Sequence, residues 1–167
     1  MYKKLSFIVV FFITTMLTAC GWHFKNTEVL PKEFQTLTLQ TSDQYSDMAR
    51  ALRSELLLNN VKLVPAQPNV AVLRLNSTTN GSRVASVFKQ AREAEKILSV
   101  KVSTTVTIPN KGHYPIDVIV HRSFFDDSRA ALAKSSEREM MIADMYQQAA
   151  RRVIVKMVTL NPVFVEK

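Results

Sequence analysis

Between Leu98 and Ile108 the chain alternates. Leu98, Val100, Val102, Val106 and Ile108 are apolar, and Lys101, Ser103, Thr105 and Thr107 lie between them. Successive side chains of an extended strand point to opposite faces, so this period of two predicts a strand with one dry face and one wet face. A sheet built on such a strand needs a covering layer on one side only. The rest of the sequence has to supply that layer and the neighbouring strands.

Three further segments read as strands: Phe34 to Gln40 (FQTLTLQ), one opening at Val70 to Leu75 (VAVLRL), and Tyr114 to Phe125, which follows a turn at Asn110-Lys111-Gly112. Two segments read as helices. From Asp43 to Asn59, Tyr45, Met48, Ala49, Leu52 and Leu56 recur at spacings of three and four, with Ser42 or Asp43 as cap and Asn59-Asn60 at the end. Ser136 and Glu139 form a capping-box pattern, and Met141, Met145, Ala149, Val153 and Met157 follow as an i+4 row ahead of Pro162. That methionine row is a core stripe, because methionine fills irregular gaps in packed interiors. The order β-α-β-β-β-α predicts an α+β two-layer sandwich, a four-stranded sheet covered on one face by two helices. The polar face, with Lys101, Ser103 and Thr105, is left outside as a candidate partner-contact surface.

The start of the chain has a different character. Lys3 and Lys4 precede an apolar run from Leu5 to Met16, too short to span a bilayer and of the length of a secretory signal. The run ends in Leu-x-Ala-Cys, which resembles a bacterial lipobox, where the cysteine thiol is acylated and becomes the first residue after cleavage. The expectation is a removed signal peptide, 1–19, and a single domain, 20–167, anchored through a covalent lipid on Cys20. The alternative is an incidental thiol. Gly21 stands where inner-membrane lipoproteins usually carry Asp, so the analogy directs the anchor to the periplasmic side of the outer membrane. Cys20 is the only cysteine, which leaves none for a disulfide.

Without residues 1–19, the chain keeps 20 basic residues against 14 acidic ones, a net charge of +6. A basic surface selects anionic partners. At the outer membrane the polyanion is lipopolysaccharide and not nucleic acid, although charge alone fits a merely soluble surface equally well. No enzyme motif is present: no Gly-rich phosphate loop, no G-x-S-x-G and no H-E-x-x-H. His121 beside Asp126 and Asp127 is the nearest approach to a catalytic pair, and a lone histidine at a strand end is ordinarily structural. No His/Glu cluster suggests a metal, and no cofactor is expected beyond the lipid.

Several short motifs in order carry a resemblance: ACGWHF (19–24), LRSELLLNNVKL (52–63), ASVFKQ (85–90), RSFFD (122–126), ALAK (131–134) and DMYQQAA (144–150). Together they are similar to the LptE family of lipopolysaccharide-assembly lipoproteins across nearly the whole mature chain. The resemblance implies a partner, the β-barrel translocon LptD, whose lumen the domain plugs and whose assembly it supports. It also implies lipopolysaccharide binding by basic residues, which fall here on Lys89 in SVFKQ and Lys134 in ALAK, the latter just before the last helix. Lys89 departs from the arginine often found there, which exchanges a bidentate phosphate contact for a point charge. Each lysine could instead be a solvated loop charge. Arg83, Arg92 and Arg122 are secondary candidates. Phe88 beside Lys89 is a candidate aromatic anchor for the partner, and Phe124 and Phe125 are expected on opposite faces. The competing reading is a generic periplasmic lipoprotein adaptor that binds a protein and handles no lipid; a hydrolase with an unrecognised site is a third.

Overall fold

The structure, a computed structural model, describes residues 30–87 and 93–160. Its elements are β1 (Thr36–Thr41), α1 (Asp47–Leu58), β2 (Lys62–Leu63), β3 (Ala71–Val87), β4 (Glu93–Ile108), β5 (Gly112–Asp127) and α2 (Ala131–Thr159). One sheet contains all the described strands, in the order β2-β1-β3-β4-β5, so among the described residues β5 is an edge strand. β1 runs parallel to both β2 and β3; β3, β4 and β5 form an antiparallel meander. The α+β sandwich expected from the sequence is what folds, with five strands in place of four. The added strand is the two-residue β2, too short to show any period.

The alternation of β4 is realised in space. Leu98, Val100, Val102, Val106 and Ile108 are buried together with Leu37, Leu73, Leu75, Ile116, Val118 and Val120 from the neighbouring strands. Thr104 shares that face, and its buried hydroxyl donates to the Ile116 carbonyl at 3.0 Å, which satisfies a group that would otherwise be costly in the core. The helices lie over this face and pack on each other: α1 contributes Met48, Ala49, Leu52 and Leu56, and α2 contributes Met145, Ala149, Val153, Ile154 and Met157. The methionine row is core, as the spacing predicts.

Element ends differ from the sequence reading in instructive ways. α1 starts four residues late, capped by Ser46 Oγ accepting from the Ala49 amide at 3.4 Å; Tyr45 thus falls outside the helix and is 84% exposed. The reason is local. The Asp43 carboxylate accepts from the Tyr45 amide at 2.8 Å, forming an Asx turn that holds the chain out of helix until Ser46. Asn60 (φ 59°) closes α1 and Asn110 (φ 61°) makes the β4–β5 turn, in the left-handed region that asparagine tolerates best after glycine. β3 runs far past Leu75, through one irregularity between Leu75 and Ser77 and a second between Val84 and Ser86. Beyond the first, its inward positions Thr78, Asn80 and Ser82 are polar, and Asn80 Nδ2 donates to the Tyr146 hydroxyl at 2.6 Å.

Candidate functional site

Lys134 is the fourth residue of α2, not a loop residue ahead of it. The expected capping box is absent: the Ser136 hydroxyl donates to the Leu132 carbonyl at 3.4 Å, from inside the helix. Asp127 does the starting. Its carboxylate accepts from the Arg129 amide at 2.9 Å, and a single 3₁₀ turn over Ser128–Ala130 leads into α2. A 3₁₀ turn is a common lead-in to an α-helix, so the cap position is Ala130, six residues before the Ser136 of the sequence pattern.

This position engages Lys134 from two sides. Nζ pairs with Glu137 Oε2 at 2.7 Å and stands 5.5 Å over the ring of Phe124, and the side chain is only 24% exposed. Phe124 is buried at 2% exposure while Phe125 is 55% exposed, the opposite-face arrangement expected of that pair. The ring fixes the ammonium by cation–π attraction, and the carboxylate competes with any anion that approaches it. Lys134 is therefore a held charge and not a solvated one. Neighbouring cations are similarly engaged. Lys96 pairs with Asp126, Arg122 with Asp144, and Arg129 with Asp127 at 3.0 Å. Hydrogen bonds from the Arg129 side chain, then from its backbone, hold the Asp127 carboxyl below its ordinary value. Exposed apolar side chains share this end of the sheet and the start of α2: Val84, Phe125 and Leu132. Cations set among apolar side chains can meet the phosphate and the hydrocarbon of an amphiphile. Phe88, Lys89, Arg92 and Cys20 lie outside the described residues.

On the outer face, register places the predicted contact residues in rows across three strands. Lys101 stands between Thr79 and Ile119, Ser103 between Ser77 and Asp117, and Thr105 between Arg74 and Pro115. Lys101 is exposed, and Ser103 and Thr105 are half-buried by their neighbours. Asn76 Nδ2 donates to Thr105 Oγ1 at 2.8 Å, and Arg74 Nη2 donates to Gln40 at 3.0 Å, so part of this polar surface is already cross-linked within itself. Two apolar residues share this face, Phe125, which the sequence sets opposite Phe124, and Ile119 (45% exposed), which sequence reasoning missed. The available signal was parity, since both are odd-numbered in a strand whose buried residues Ile116, Val118, Val120 and Phe124 are even. The same parity separates His121, on the outer face, from Asp126, which turns inward to Lys96. They form no acid–base pair. Among the described residues no three His, Cys, Asp or Glu side chains are grouped to hold a metal, and no helix is long and apolar enough to cross a membrane.

A sheet with one helix-covered face, one polar face and an end of ion-paired cations and exposed apolar side chains defines a binding domain of α+β sandwich type. Comparison with known proteins gives the family. The family described as "LptE: Lipopolysaccharide-assembly" matches residues 34–157. The chain is 34% identical over 158 residues to the LPS-assembly lipoprotein LptE of Pectobacterium atrosepticum, covering 93% of this chain and 86% of that protein. It is 36% identical over 151 residues to the one from Photorhabdus laumondii, covering 89% and 83%. The crystal structure of the rare lipoprotein B from Shewanella oneidensis superposes with a TM-score of 0.70 at 36% identity, over 79% of this chain and 99% of that one. The chain belongs to the LptE lipopolysaccharide-assembly family, a family of lipoproteins and not of enzymes.

Proposed function

We propose that this protein is an outer-membrane lipoprotein that works with the β-barrel LptD to assemble lipopolysaccharide into the outer leaflet. Residues 1–19 are its signal peptide, and Cys20 carries the lipid that holds the domain, 20–167, on the periplasmic side. Multiple acyl chains on one cysteine give firm anchoring where a single chain binds only marginally. The domain sits in the barrel lumen as a plug and supports barrel assembly. The observation that carries this reading is the family match over 34–157. The outer face supports it: barrel strands alternate apolar-out and polar-in, and the rows through Lys101, Ser103 and Thr105 offer the lumen wall a matching polar surface. Lys89 and Lys134 bind the phosphates of lipopolysaccharide, and Phe88 contacts the barrel. Exposed Leu132 and Met140 lie near Lys134 in sequence, where an acyl chain attached to a bound phosphate could rest.

The test is purification of the tagged chain from outer membranes in mild detergent. The expected product begins at Cys20, carries acyl chains and is accompanied by a large β-barrel protein. A chain that begins elsewhere without lipid removes the anchor. A lipidated chain that brings down only a soluble protein removes the translocon role and leaves an adaptor.

A further inference from the structure

β5 is an edge strand of sixteen residues, Gly112–Asp127, and its unpaired side is closed along one half only. In an antiparallel strand the N–H and C=O of one residue point to the same side, and the side alternates along the chain. The pairing of β5 with β4 runs without a register shift, so one parity faces β4 throughout and the other faces outward. Two contacts identify the outward set as odd. Arg152 Nη1 donates to the Ile119 carbonyl at 2.8 Å, and Lys156 Nζ donates to the Asp117 carbonyl at 2.5 Å, both reaching over the edge from α2. The Ile116 carbonyl, of even parity, instead meets Thr104 of β4. Pro115 is also odd, and its missing N–H falls on the open side, where a proline is tolerated in a strand.

Three successive outward positions are thus blunted: Pro115 has no donor, and the carbonyls of Asp117 and Ile119 are occupied. The next three, His121, Ser123 and Phe125, are not. Among the described residues no side chain reaches their outward N–H or C=O groups. Proteins ordinarily blunt exposed strand edges, because an open row of donors and acceptors recruits another strand. Here the device stops halfway.

We propose that the edge at His121, Ser123 and Phe125 is a strand-addition site for an extended segment of a partner polypeptide. The backbone row itself selects that class of ligand, since alternating donors and acceptors at strand spacing are satisfied together only by another extended backbone. The surroundings set its side chains. Running past Ile119, the segment meets the Arg152 guanidinium, which has further N–H donors, and the Lys156 ammonium, so acidic residues are favoured at that end. At the other end, exposed Phe125 on the outer face offers a cross-strand partner for an apolar side chain. A second copy of this chain is disfavoured, because each chain without residues 1–19 carries 20 basic against 14 acidic residues, a net charge of +6.

The test uses the full lipidated chain in detergent micelles and a synthetic peptide of alternating Thr and Val preceded by two Glu. Residue-resolved amide hydrogen exchange is the readout. The peptide is expected to slow exchange at His121, Ser123 and Phe125 by roughly tenfold or more, and to leave the even-numbered amides, already bonded to β4, unchanged. Ser123→Pro deletes one outward N–H and no bond to β4, as Pro115 does naturally, and is expected to abolish that protection with the β4–β5 ladder intact. The same peptide N-methylated on alternate amides serves as the second control and should not bind. Equal protection in Ser123→Pro, protection by the N-methylated peptide, or none by the unmodified one overturns the proposal. Protection that rises with protein concentration in the absence of peptide assigns the edge to a second copy and overturns it as well.

Discussion

Lys134 shows how much one residue's setting changes its chemistry. As a loop charge it would be one cation among many. As the fourth residue of α2, it is bracketed by the Phe124 ring and the Glu137 carboxylate. A phosphate approaching it finds an ammonium already positioned but partly neutralised. Two variants separate these effects. Lys134→Glu together with Lys89→Glu should weaken lipopolysaccharide binding, while the helical signal in circular dichroism persists and the remaining binding loses salt sensitivity. Glu137→Gln should strengthen binding roughly twofold to fivefold, the equivalent of the ~0.5–1 kcal/mol of a partly exposed ion pair. Unchanged affinity in both variants returns Lys134 to a purely structural role at the start of α2. The residue could be picked out from its motif; its partners could not, because they depend on where the helix starts. That start is set by Asp127 and Arg129, seven and five residues upstream, and not by the serine–glutamate spacing that suggested a cap at Ser136.

Among the elements, legibility follows period. β4 and the packed half of α2 were readable because their apolar residues recur at two and at three to four. The far half of β3 was not, since Thr78, Asn80 and Ser82 face inward and Thr79 and Arg83 outward, all of them polar. A strand that is polar on both faces has no alternation to detect, and only its pairing with β4 reveals it. The parallel pairing of β1 with β2 and β3 is equally invisible, because periodicity reports faces and not neighbours. The caps can be tested against each other in urea unfolding. Ser46→Ala should lower stability by about 0.5–1 kcal/mol, since it removes the side-chain acceptor at the start of α1. Ser136→Ala, inside α2 and exposed, should change it by less than about 0.5 kcal/mol. The opposite order would restore the capping box at Ser136.

For the whole molecule, the two faces of the sheet divide the work. One is covered by α1 and α2 over its apolar part and supplies stability, while the other is left polar, with Ile119 and Phe125 as its apolar exceptions. A surface of that kind suits a wet wall better than a second hydrophobic layer. The proposed outer-membrane role rests on the family assignment, and the polar face is the surface proposed to serve it. The most direct measurement is photo-crosslinking in intact cells, with the photoreactive residue placed in turn at Lys101, Thr105 and Val102. Lys101 and Thr105 on the outer face should capture the barrel protein, and buried Val102 should capture nothing. Silence at Lys101 and Thr105, with the lipidated domain present and folded in the outer membrane, would contradict the plug.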